Sequence, residues 1–397
     1  MKPLIVYHLM YENPTGGINA MVETLASSMA NGPGAVLFRV GRWNEAEWGS
    51  SKHGKNSCYF KRIRMPWDSS RYIRGFFGWL WEFPQTWWQL VRMIRNEKIE
   101  VIHLHSLHDH QLVFWLLSRY VGIPCVITLH GSEILKFSQR SDKTKRLNNW
   151  LLHKVDGVAC VSEQVLQALN HEIPDIKASS IYNGIDIETV QDVSRKPLAS
   201  SLPSLPANYF VLVGHIFAVK GHDIAVSAWH ELVDTRADLH LIIIGQKAGD
   251  KEAGEFAREV LSLAKNGKAS SNIHFLGIQP QEVLLPIIKD AHALIIPSRS
   301  EGLPYVLLEG GALNKPVIAS AIPPFINQFN GVEGCYLFTK DDHISLSDII
   351  LQVMARPEKL QHSGKELGKF IQRDFSSQKM ANNYQKLYFQ SANSGST

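Results

Sequence analysis

The strongest constraint on the fold is an alternation of short apolar runs with amphipathic helical patterns, which continues through both halves of the chain. The apolar runs with strand character cover 4–10, 101–105, 125–129, 158–161, 209–214, 239–245 and 273–277. Runs that are apolar at consecutive positions are typical of strands covered on both faces. Strands that alternate with helices form parallel, doubly wound sheets, which bind ligands at the carboxyl ends of their strands. We therefore predict an α/β fold.

A break between two halves lies near the middle of the 397-residue chain, a length that suits two domains. Residues 188–208 lose their periodicity and become rich in Ser and Pro, which predicts a linker. The first domain is then predicted over 1–187 and the second over 209–374, both with Rossmann-like alternation. Residues 375–397 carry a further amphipathic helical pattern and end in a polar tail that we expect to fray.

Cysteine usage and the lengths of the apolar runs indicate the compartment. The four cysteines lie far apart without metal-binding spacing, which favours a reducing environment. The first apolar run is too short for a signal peptide, and no stretch approaches the length of a membrane span. We therefore expect a cytoplasmic protein. Its formal net charge of +4 is too small to indicate a partner by itself.

The segment 59–95 differs from the rest of the chain in charge and in aromatic content. It carries seven cations against two anions and contains Trp67, Trp79, Trp81, Trp87 and Trp88, half of the ten tryptophans. Indoles interleaved with Arg and Lys suit an anionic membrane surface, where the rings lie at headgroup depth. Some of these tryptophans must belong to the core. Because a nucleic-acid surface is the weaker alternative, we predict peripheral attachment to the inner face of the cytoplasmic membrane and no nucleic acid.

Residues 293–320 predict a buried strand, a loop, a helix over 305–313 and a second strand. Glu301 and Gly302 lie in the loop, and Glu309 follows one to two helical turns later. Gly302 lets backbone approach a ligand closely, and the helix N-terminus offers unpaired N–H groups that suit phosphate. A carboxylate at Glu309 can then accept hydrogen bonds from sugar hydroxyls attached to that phosphate. The alternative is an ordinary strand-loop-helix unit with two solvated glutamates.

Three further positions are candidates for ligand contacts. Gly16 and Gly17 lie between the first strand and a helical pattern, where a turn can face an anion, although a double glycine is more often only a tight turn. His130 ends the strand 125–129, and as a lone histidine it is neutral between structure and function. Lys220 begins a helix and alone reads as a solvated lysine.

A cluster of histidines follows the strand 101–105 and raises the question of a metal. Its members are His103, His105, His108, Asp109 and His110. Strand alternation points His103 and His105 to one face, yet nothing fixes a third or fourth ligand. We therefore predict no metal.

A Glu, seven residues and a second Glu, with Gly after the first and Pro three residues after it, resembles the signature of the large retaining glycosyltransferase family four. The surroundings agree, because Pro-Ser precedes Glu-Gly-Leu-Pro and Lys-Pro-Val-Ile-Ala-Ser follows the helix. The run 181–186, Ile-Tyr-Asn-Gly-Ile-Asp, resembles the segment that closes the family's first domain. The resemblance implies the GT-B architecture over roughly 1–375, in which two doubly wound Rossmann-like domains face each other across a cleft. It also implies that the last helix packs back on the first, acceptor-side domain.

The resemblance also implies a site for a nucleotide-diphosphate sugar, with UDP favoured because it is common among such donors. Lys220, Gly214, His215, and the backbone near Gly302 and Leu303 would hold the diphosphate, Glu309 the ribose and Glu301 the sugar. His130, in a Thr-x-His-Gly context, and the Gly16-Gly17 turn would position the transferred sugar. The implied catalytic residues are His130, Glu301 and Lys220, in a retaining, metal-independent reaction without a cofactor. The charged, tryptophan-rich first domain favours a glycan or lipid-linked acceptor, as in bacterial-type polysaccharide or glycoconjugate synthesis.

The chain departs from the family's pattern in places that leave a second hypothesis open. His215 stands where Arg is usual, Gly310-Gly311 replaces Ala-Met, and 322–327 lacks the usual Gly-rich pattern. A non-catalytic GT-B subunit that binds membranes is therefore the alternative, although Lys220, Glu301 and Glu309 argue for an enzyme. A NAD-linked dehydrogenase is disfavoured, since neither half has the G-x-G-x-x-G turn.

Overall fold

The computed structural model describes residues 1–8, 17–30, 32–41, 48–53, 56–63, 65, 72–197, 204–245 and 251–394. The chain divides into two compact units. The first comprises Met1–Gly184 together with the C-terminal segment that begins at Ser377, and the second comprises Ile185–Ser376.

The first unit is built on an eight-stranded sheet in the order β3-β4-β2-β1-β5-β6-β7-β8. The strands are β1 Pro3–His8, β2 Val36–Val40, β3 Gly49–His53, β4 Asn56–Lys61, β5 Val101–His105, β6 Cys125–Leu129, β7 Gly157–Cys160 and β8 Ala178–Ser180. All neighbours are parallel except β3 and β4, which form an antiparallel edge. Every residue of β5 and of β6 is buried, as expected for central parallel strands covered by helices on both faces.

The helices of this unit form two layers. They are α1 Gly17–Ser28, α2 Tyr72–Glu97, α3 Gln111–Val121, α4 Ser132–Leu135, α5 Asp142–Lys154, α6 Glu163–Glu172 and the C-terminal α15 Ser377–Ser394. The connections through α2, α3, α5 and α6 all step in one direction along the sheet, whereas the connection through α1 steps the other way. Because such crossovers are right-handed, α2, α3, α5 and α6 lie on one face and α1 on the opposite face. Helix α15 packs against α1, β6 and β7 on that opposite face.

The second unit has a six-stranded, all-parallel sheet in the order β11-β10-β9-β12-β13-β14. Its strands are β9 Tyr209–Val213, β10 His240–Ile244, β11 Ile273–Gly277, β12 Leu294–Ile296, β13 Val317–Ser320 and β14 Cys335–Phe338. Its helices are α7 Ile187–Ser194, α8 His222–Leu232, α9 Lys251–Asn266, α10 Gln281–Asp290, α11 Tyr305–Ala312, α12 Pro323–Phe329, α13 His343–Met354 and α14 Pro357–Asp374. The Rossmann-like alternation predicted from the sequence is therefore confirmed in both units.

Helix α7 occupies the first part of the segment 188–208, which the sequence analysis described as a linker. Asp186 caps its N-terminus by accepting from Thr189 N–H, and Gln191 Nε2 donates to the Ala312 carbonyl at 3.0 Å. Val190 is buried, so this short helix packs within the second unit. Its eight residues are too few for a clear periodic pattern, which is why the sequence predicts a linker there.

Within the part of the chain that the structure describes, no helix is both long enough and apolar enough to cross a membrane.

Candidate active site

The predicted Lys220 and Glu301 meet in the second unit, although 81 positions separate them. Lys220 lies in a 3₁₀ turn (Ala218–Lys220) that follows β9, and Glu301 lies in the loop that follows β12. Because β9 and β12 are neighbours in the sheet, their carboxyl ends lie together. Lys220 Nζ donates to Glu301 Oε1 at 2.6 Å, and Ser298 Oγ donates to the same oxygen at 2.7 Å. Glu301 is the hydrogen-bond acceptor that the described residues provide to this ammonium, so two of its three donors remain for a ligand.

Gly221 is a residue that the sequence analysis did not single out, and it makes this meeting possible. Its φ is +67°, a region that residues with a side chain rarely adopt. A Cβ added there would lie 2.0 Å from the carbonyl oxygen of Pro297, so the turn that carries Lys220 packs directly on the end of β12. The only local signal was a glycine directly after the lysine.

Arg299 links the same two loops through hydrogen bonds, and the sequence analysis did not single it out either. Its guanidinium donates to Asp223 Oδ1 and Oδ2 at 3.0 and 2.6 Å, and to Asp341 Oδ1 at 2.6 Å. Arg299 N–H donates to the Val219 carbonyl at 2.8 Å. Such a two-pronged Arg–carboxylate pair fixes geometry as well as charge. No sequence signal identifies it, since the partners are 76 positions apart.

Glu309 lies on the fifth residue of α11 and is only 5% exposed. Burial raises the pKa of its carboxyl from 4.5 to about 7, because an ionised carboxylate loses its hydration there. Gln281 Nε2 donates to Glu309 Oε1 at 3.4 Å, which lowers the pKa but less than burial raises it. Helix α11 begins after Pro304, whose side chain supplies no acceptor to the first turn. This end of the unit thus combines helix N–H donors with a buried carboxyl that can accept hydrogen bonds from hydroxyl groups.

The predicted Gly214 and His215 follow β9 directly. A Cβ on Gly245 would lie 1.9 Å from the Gly214 carbonyl oxygen, so the ends of β9 and β10 approach closely. His222 is buried, and burial lowers the pKa of its imidazole to about 4. Its Nε2 therefore donates as a neutral ring to the Gly214 carbonyl at 3.2 Å. The His215 ring lies edge-on to Phe217 at 6.1 Å.

His130 lies in the first unit, directly after β6. Its Nε2 contacts His105 Nδ1 at 2.9 Å, and its backbone N–H donates to Glu133 Oε1 at 2.7 Å. Burial lowers the pKa of the His130 imidazole to about 3, so the ring is neutral at physiological pH. Gly17 is the first residue of α1, whereas Gly16 lies outside the described residues.

The other histidines of the predicted cluster are held by protein groups. His103 contacts Tyr388 Oη through Nδ1 and Thr128 Oγ1 through Nε2, both at 2.8 Å. The rings of His108 and His110 stack at 5.4 Å. Among the described residues, no group of three or more His, Cys, Asp or Glu side chains is arranged to hold a metal ion.

The segment 59–95 divides its aromatic residues between core and surface. Trp79 and Trp87 are partly buried and pack on either side of Phe83, whereas Trp81 is 88% exposed and Trp88 is 61% exposed. All five residues lie on α2, whose exposed cations include Arg92 and Arg95. Trp67, Arg64 and Arg71 lie outside the described residues, as does the side chain of Arg74.

Two family matches together cover most of the chain. Residues 15–189 match the family described as Glycosyltransferase Family 4, and residues 198–369 match Glycosyl transferases group 1. Their boundary falls close to the division between the two units. These matches and the paired Rossmann-like sheets define a glycosyltransferase with the GT-B fold.

Proteins with similar sequences are also named as glycosyltransferases. An uncharacterised glycosyltransferase of Methanocaldococcus jannaschii is 28% identical over 75% of this chain and 77% of its own length. A UDP-Gal:α-D-GlcNAc-diphosphoundecaprenol α-1,3-galactosyltransferase of Escherichia coli is 24% identical over 59% of this chain and 60% of its own. The chain belongs to the family-four-type glycosyltransferases, which confirms the predicted family.

Solved structures confirm the predicted fold. Sucrose-phosphate synthase of Thermosynechococcus elongatus superposes with a TM-score of 0.76 at 20% identity, over 98% of this chain and 99% of its own. The Anabaena protein HepE, in complex with UDP-glucose, superposes with a TM-score of 0.73 at 16% identity, over 97% and 98%.

Proposed function

We propose that the second unit binds a nucleotide-diphosphate sugar, preferably a UDP-sugar, and that the chain transfers its sugar with retention of configuration. The observation that carries this proposal is the Lys220–Glu301 pair at the carboxyl ends of parallel strands, followed along the chain by the buried Glu309 of α11. In open α/β sheets this edge is where ligands bind. The HepE complex with UDP-glucose supports a nucleotide-sugar donor on this fold.

The diphosphate is the group that gains negative charge as the sugar–phosphate bond breaks. Lys220 and the N–H groups near Gly302 and Leu303 would stabilise that charge, so that no metal ion is needed. His215 would supply a second donor in the place where the family has Arg. Glu309 would accept from the ribose hydroxyls and Glu301 from the sugar, while Gly214 leaves room for the phosphates.

The first unit would position the transferred sugar and the acceptor. His130 and the Gly16-Gly17 turn are the residues proposed for this task, because His130 follows β6 and Gly17 begins the helix after β1, both at the carboxyl edge of the sheet. Retention follows from attack on the same face of the sugar from which the diphosphate departs, with the diphosphate helping to deprotonate the acceptor hydroxyl. Proton NMR of the anomeric centre in donor and product tests this step, and an inverted product would contradict it.

Donor binding can be measured by thermal shift with UDP-, GDP- and ADP-linked sugars, with and without a chelator. A donor at about a hundredfold excess over its dissociation constant stabilises the folded chain by about 2.7 kcal/mol. We expect one donor class to act with chelator present, and Lys220→Ala and Glu309→Ala to lose the effect. Donor binding without any transfer to acceptor would instead favour a non-catalytic subunit.

The acceptor is proposed to be a glycan or lipid-linked molecule reached from a membrane surface. The large apolar side chains exposed on α2, α3 and α5 are Phe76, Phe77, Leu80, Trp81, Trp88, Leu116, Tyr120 and Trp150. These helices share one face of the sheet, and Arg92, Arg95 and Lys143 add positive charge there. Exposed aromatics together with cations suit an anionic lipid surface.

The direction in which α2 runs relative to the sheet also supports a lipid-linked acceptor. Helix α2 leads into β5, so its N-terminal half, with Phe77 and Trp81, lies towards the carboxyl edge of the sheet where β6 ends before His130. A membrane that contacts this half would bring a lipid-linked acceptor to the edge that carries His130. The galactosyltransferase relative, whose name gives the lipid-linked sugar α-D-GlcNAc-diphosphoundecaprenol, supports this assignment. The chain would then act at the cytoplasmic face of the membrane.

Vesicle co-sedimentation tests the membrane surface. We expect the native chain to bind vesicles that contain phosphatidylglycerol and to bind pure phosphatidylcholine weakly, with the affinity falling as salt is added. The double variant Trp81→Ser/Trp88→Ser should lose most of this binding. Phe389→Ser is the matched control, because Phe389 is 56% exposed but lies on α15, on the opposite face of the sheet. Equal loss in both variants would contradict the assignment.

A further inference from the structure

His105, a residue to which the proposed reaction assigns no task, lies in hydrogen-bond contact with His130. It is the last residue of β5 and is 1% exposed. The pairing of β5 with β6 places it opposite Thr128, two residues before His130. Its Nδ1 lies 2.9 Å from His130 Nε2, and the two ring planes are tilted by 33°.

The second ring nitrogen of His105 determines where the protons lie. His105 Nε2 is buried and has no hydrogen-bond partner among the residues that the structure describes. Burial lowers the pKa values of both His105 and His130, so each ring is neutral and carries one N–H. An N–H at His105 Nε2 would be a buried donor without an acceptor, which costs more than an unused acceptor lone pair. The proton of His105 therefore lies on Nδ1, and Nδ1–H donates to His130 Nε2.

This assignment fixes the state of His130. Its Nε2 accepts a hydrogen bond, so the single proton of the neutral His130 ring lies on Nδ1. The nitrogen that His105 does not engage is then a donor and not a base.

The surroundings hold His105 in this arrangement. Gln111 Nε2 donates to the His105 carbonyl at 2.8 Å, and the His103 ring packs against the His105 ring at 4.2 Å. His103 is itself held by Thr128 and by Tyr388 of helix α15. Glu133 fixes the backbone of His130 by accepting from its N–H. Each ring thus has little freedom to turn.

We propose that His105 is a positioning residue that holds His130 as its Nδ1–H tautomer, so that His130 offers a hydrogen-bond donor to an oxygen of the transferred sugar. This inference rests on the proposed task of His130 in the transferase reaction. It adds that His130 acts as a donor, and that the donor is set by a neighbour on the adjacent strand.

The tautomers can be observed without any substrate. Long-range ¹H–¹⁵N correlation spectra of the histidine rings distinguish a protonated Nδ1 from a protonated Nε2. We expect Nδ1–H for both His105 and His130 in the native chain. The exposed His171 serves as the reference ring, and single His→Gln variants assign the signals. An Nε2–H tautomer at either His105 or His130 would overturn the proposal.

Kinetics of two variants test the consequence for the reaction. The amide nitrogen of Asn can take the place of histidine Nδ1, whereas Leu fills the space without a donor. Losing one such hydrogen bond should lower kcat by about tenfold in His105→Leu, with the donor KM changed by less than about twofold. His105→Asn should recover most of kcat. Thermal midpoints identify any variant that fails to fold, and the spectra decide the proposal in that case.

The two proposals fail in different ways. If the native chain transfers no sugar, the proposed function fails, while the spectra still decide the proton positions in the His105–His130 pair. If transfer is active but His105→Leu keeps native kcat, or His105→Asn and His105→Leu lose it equally, the positioning task is refuted and the proposed function stands.

Discussion

Glu309 should release a proton when the chain binds a nucleotide sugar. In the free chain, burial raises the pKa of this carboxyl to about 7. Two ribose hydroxyls can both donate only to the ionised carboxylate, because a protonated carboxyl has lost part of its acceptor capacity. Hydrogen bonds to the charged form lower its pKa, so the bound state is ionised where the free state is largely protonated.

The magnitude follows from the pKa of about 7. At pH 6 the free carboxyl is about nine-tenths protonated, so binding should release about 0.9 proton, and at pH 8 about 0.1. The association constant should rise about fivefold from pH 6 to pH 7 and about tenfold from pH 6 to pH 8, and change little above pH 8. The sign follows because a proton lost on binding makes the complex stronger at higher pH.

Isothermal titration calorimetry in buffers of different ionisation enthalpy measures both quantities. A UDP-sugar is the better ligand, because its diphosphate is a diester without a proton to lose in this range, whereas UDP has one. Glu309→Gln is the matched control: it keeps the shape and the burial but has no proton to release. We expect its binding to be independent of pH and weaker than that of the native chain at pH 8. A native chain that releases no proton at pH 6 would refute either the raised pKa or the contact with the ribose.

Three further predictions concern the same unit. The stability that Glu309 contributes is fully present below about pH 4.5 and is lost as the pH rises through about 7, by about 3 kcal/mol in total. Urea unfolding at pH 5 and pH 8 should show this fall in the free energy of unfolding. An equal fall in Glu309→Gln would contradict the prediction. Lys220→Met should weaken donor binding and lower kcat together, as measured by steady-state kinetics. Lys289→Met is the control, because Lys289 is exposed on α10, and it should leave both quantities unchanged. Gly221→Ala should destabilise the unit by more than about 2 kcal/mol, because a strained φ adds to a clash with the Pro297 carbonyl. Gly277→Ala is the control, since Gly277 has a φ of +66° but nothing within 4 Å of an added Cβ, and it should cost only about 1–2 kcal/mol. Thermal unfolding compares the two variants, and equal losses of stability would refute the clash.

Several features of the chain could be predicted from local sequence. The apolar runs predicted β1, β5 to β7 and β9 to β13, because a strand covered on both faces needs apolar residues at consecutive positions. Strands β2, β3, β4, β8 and β14 were not predicted. The N-terminus of α6 is fixed by a local contact, since Ser162 Oγ accepts from Val165 N–H. The strand-loop-helix pattern around Glu301 and Glu309 placed β12 and α11, with Glu309 inside the helix. Each of these depends on residues within one or two helical turns of one another.

The limits of sequence reasoning are clearest on α2. Its tryptophans are interleaved with charged residues, so the sequence predicted a mixture of core and surface. Only the packing decides that Trp87 contacts Tyr120 of α3 while Trp81 and Trp88 face outward. Periodicity alone could not assign them, because an amphipathic aromatic helix presents similar residues on both faces.

The sequence by itself thus determined the α/β class, most of the central strands and the positions of the candidate ligand-binding residues along the chain. The tertiary structure alone decided which of them meet. Lys220 reaches Glu301 because β12 lies beside β9, although β10 and β11 come between them in the sequence. His105 reaches His130 in the same way, across β5 and β6. Such contacts depend on strand order, which is set by burial of the whole sheet and leaves no trace in the spacing of the residues that it brings together.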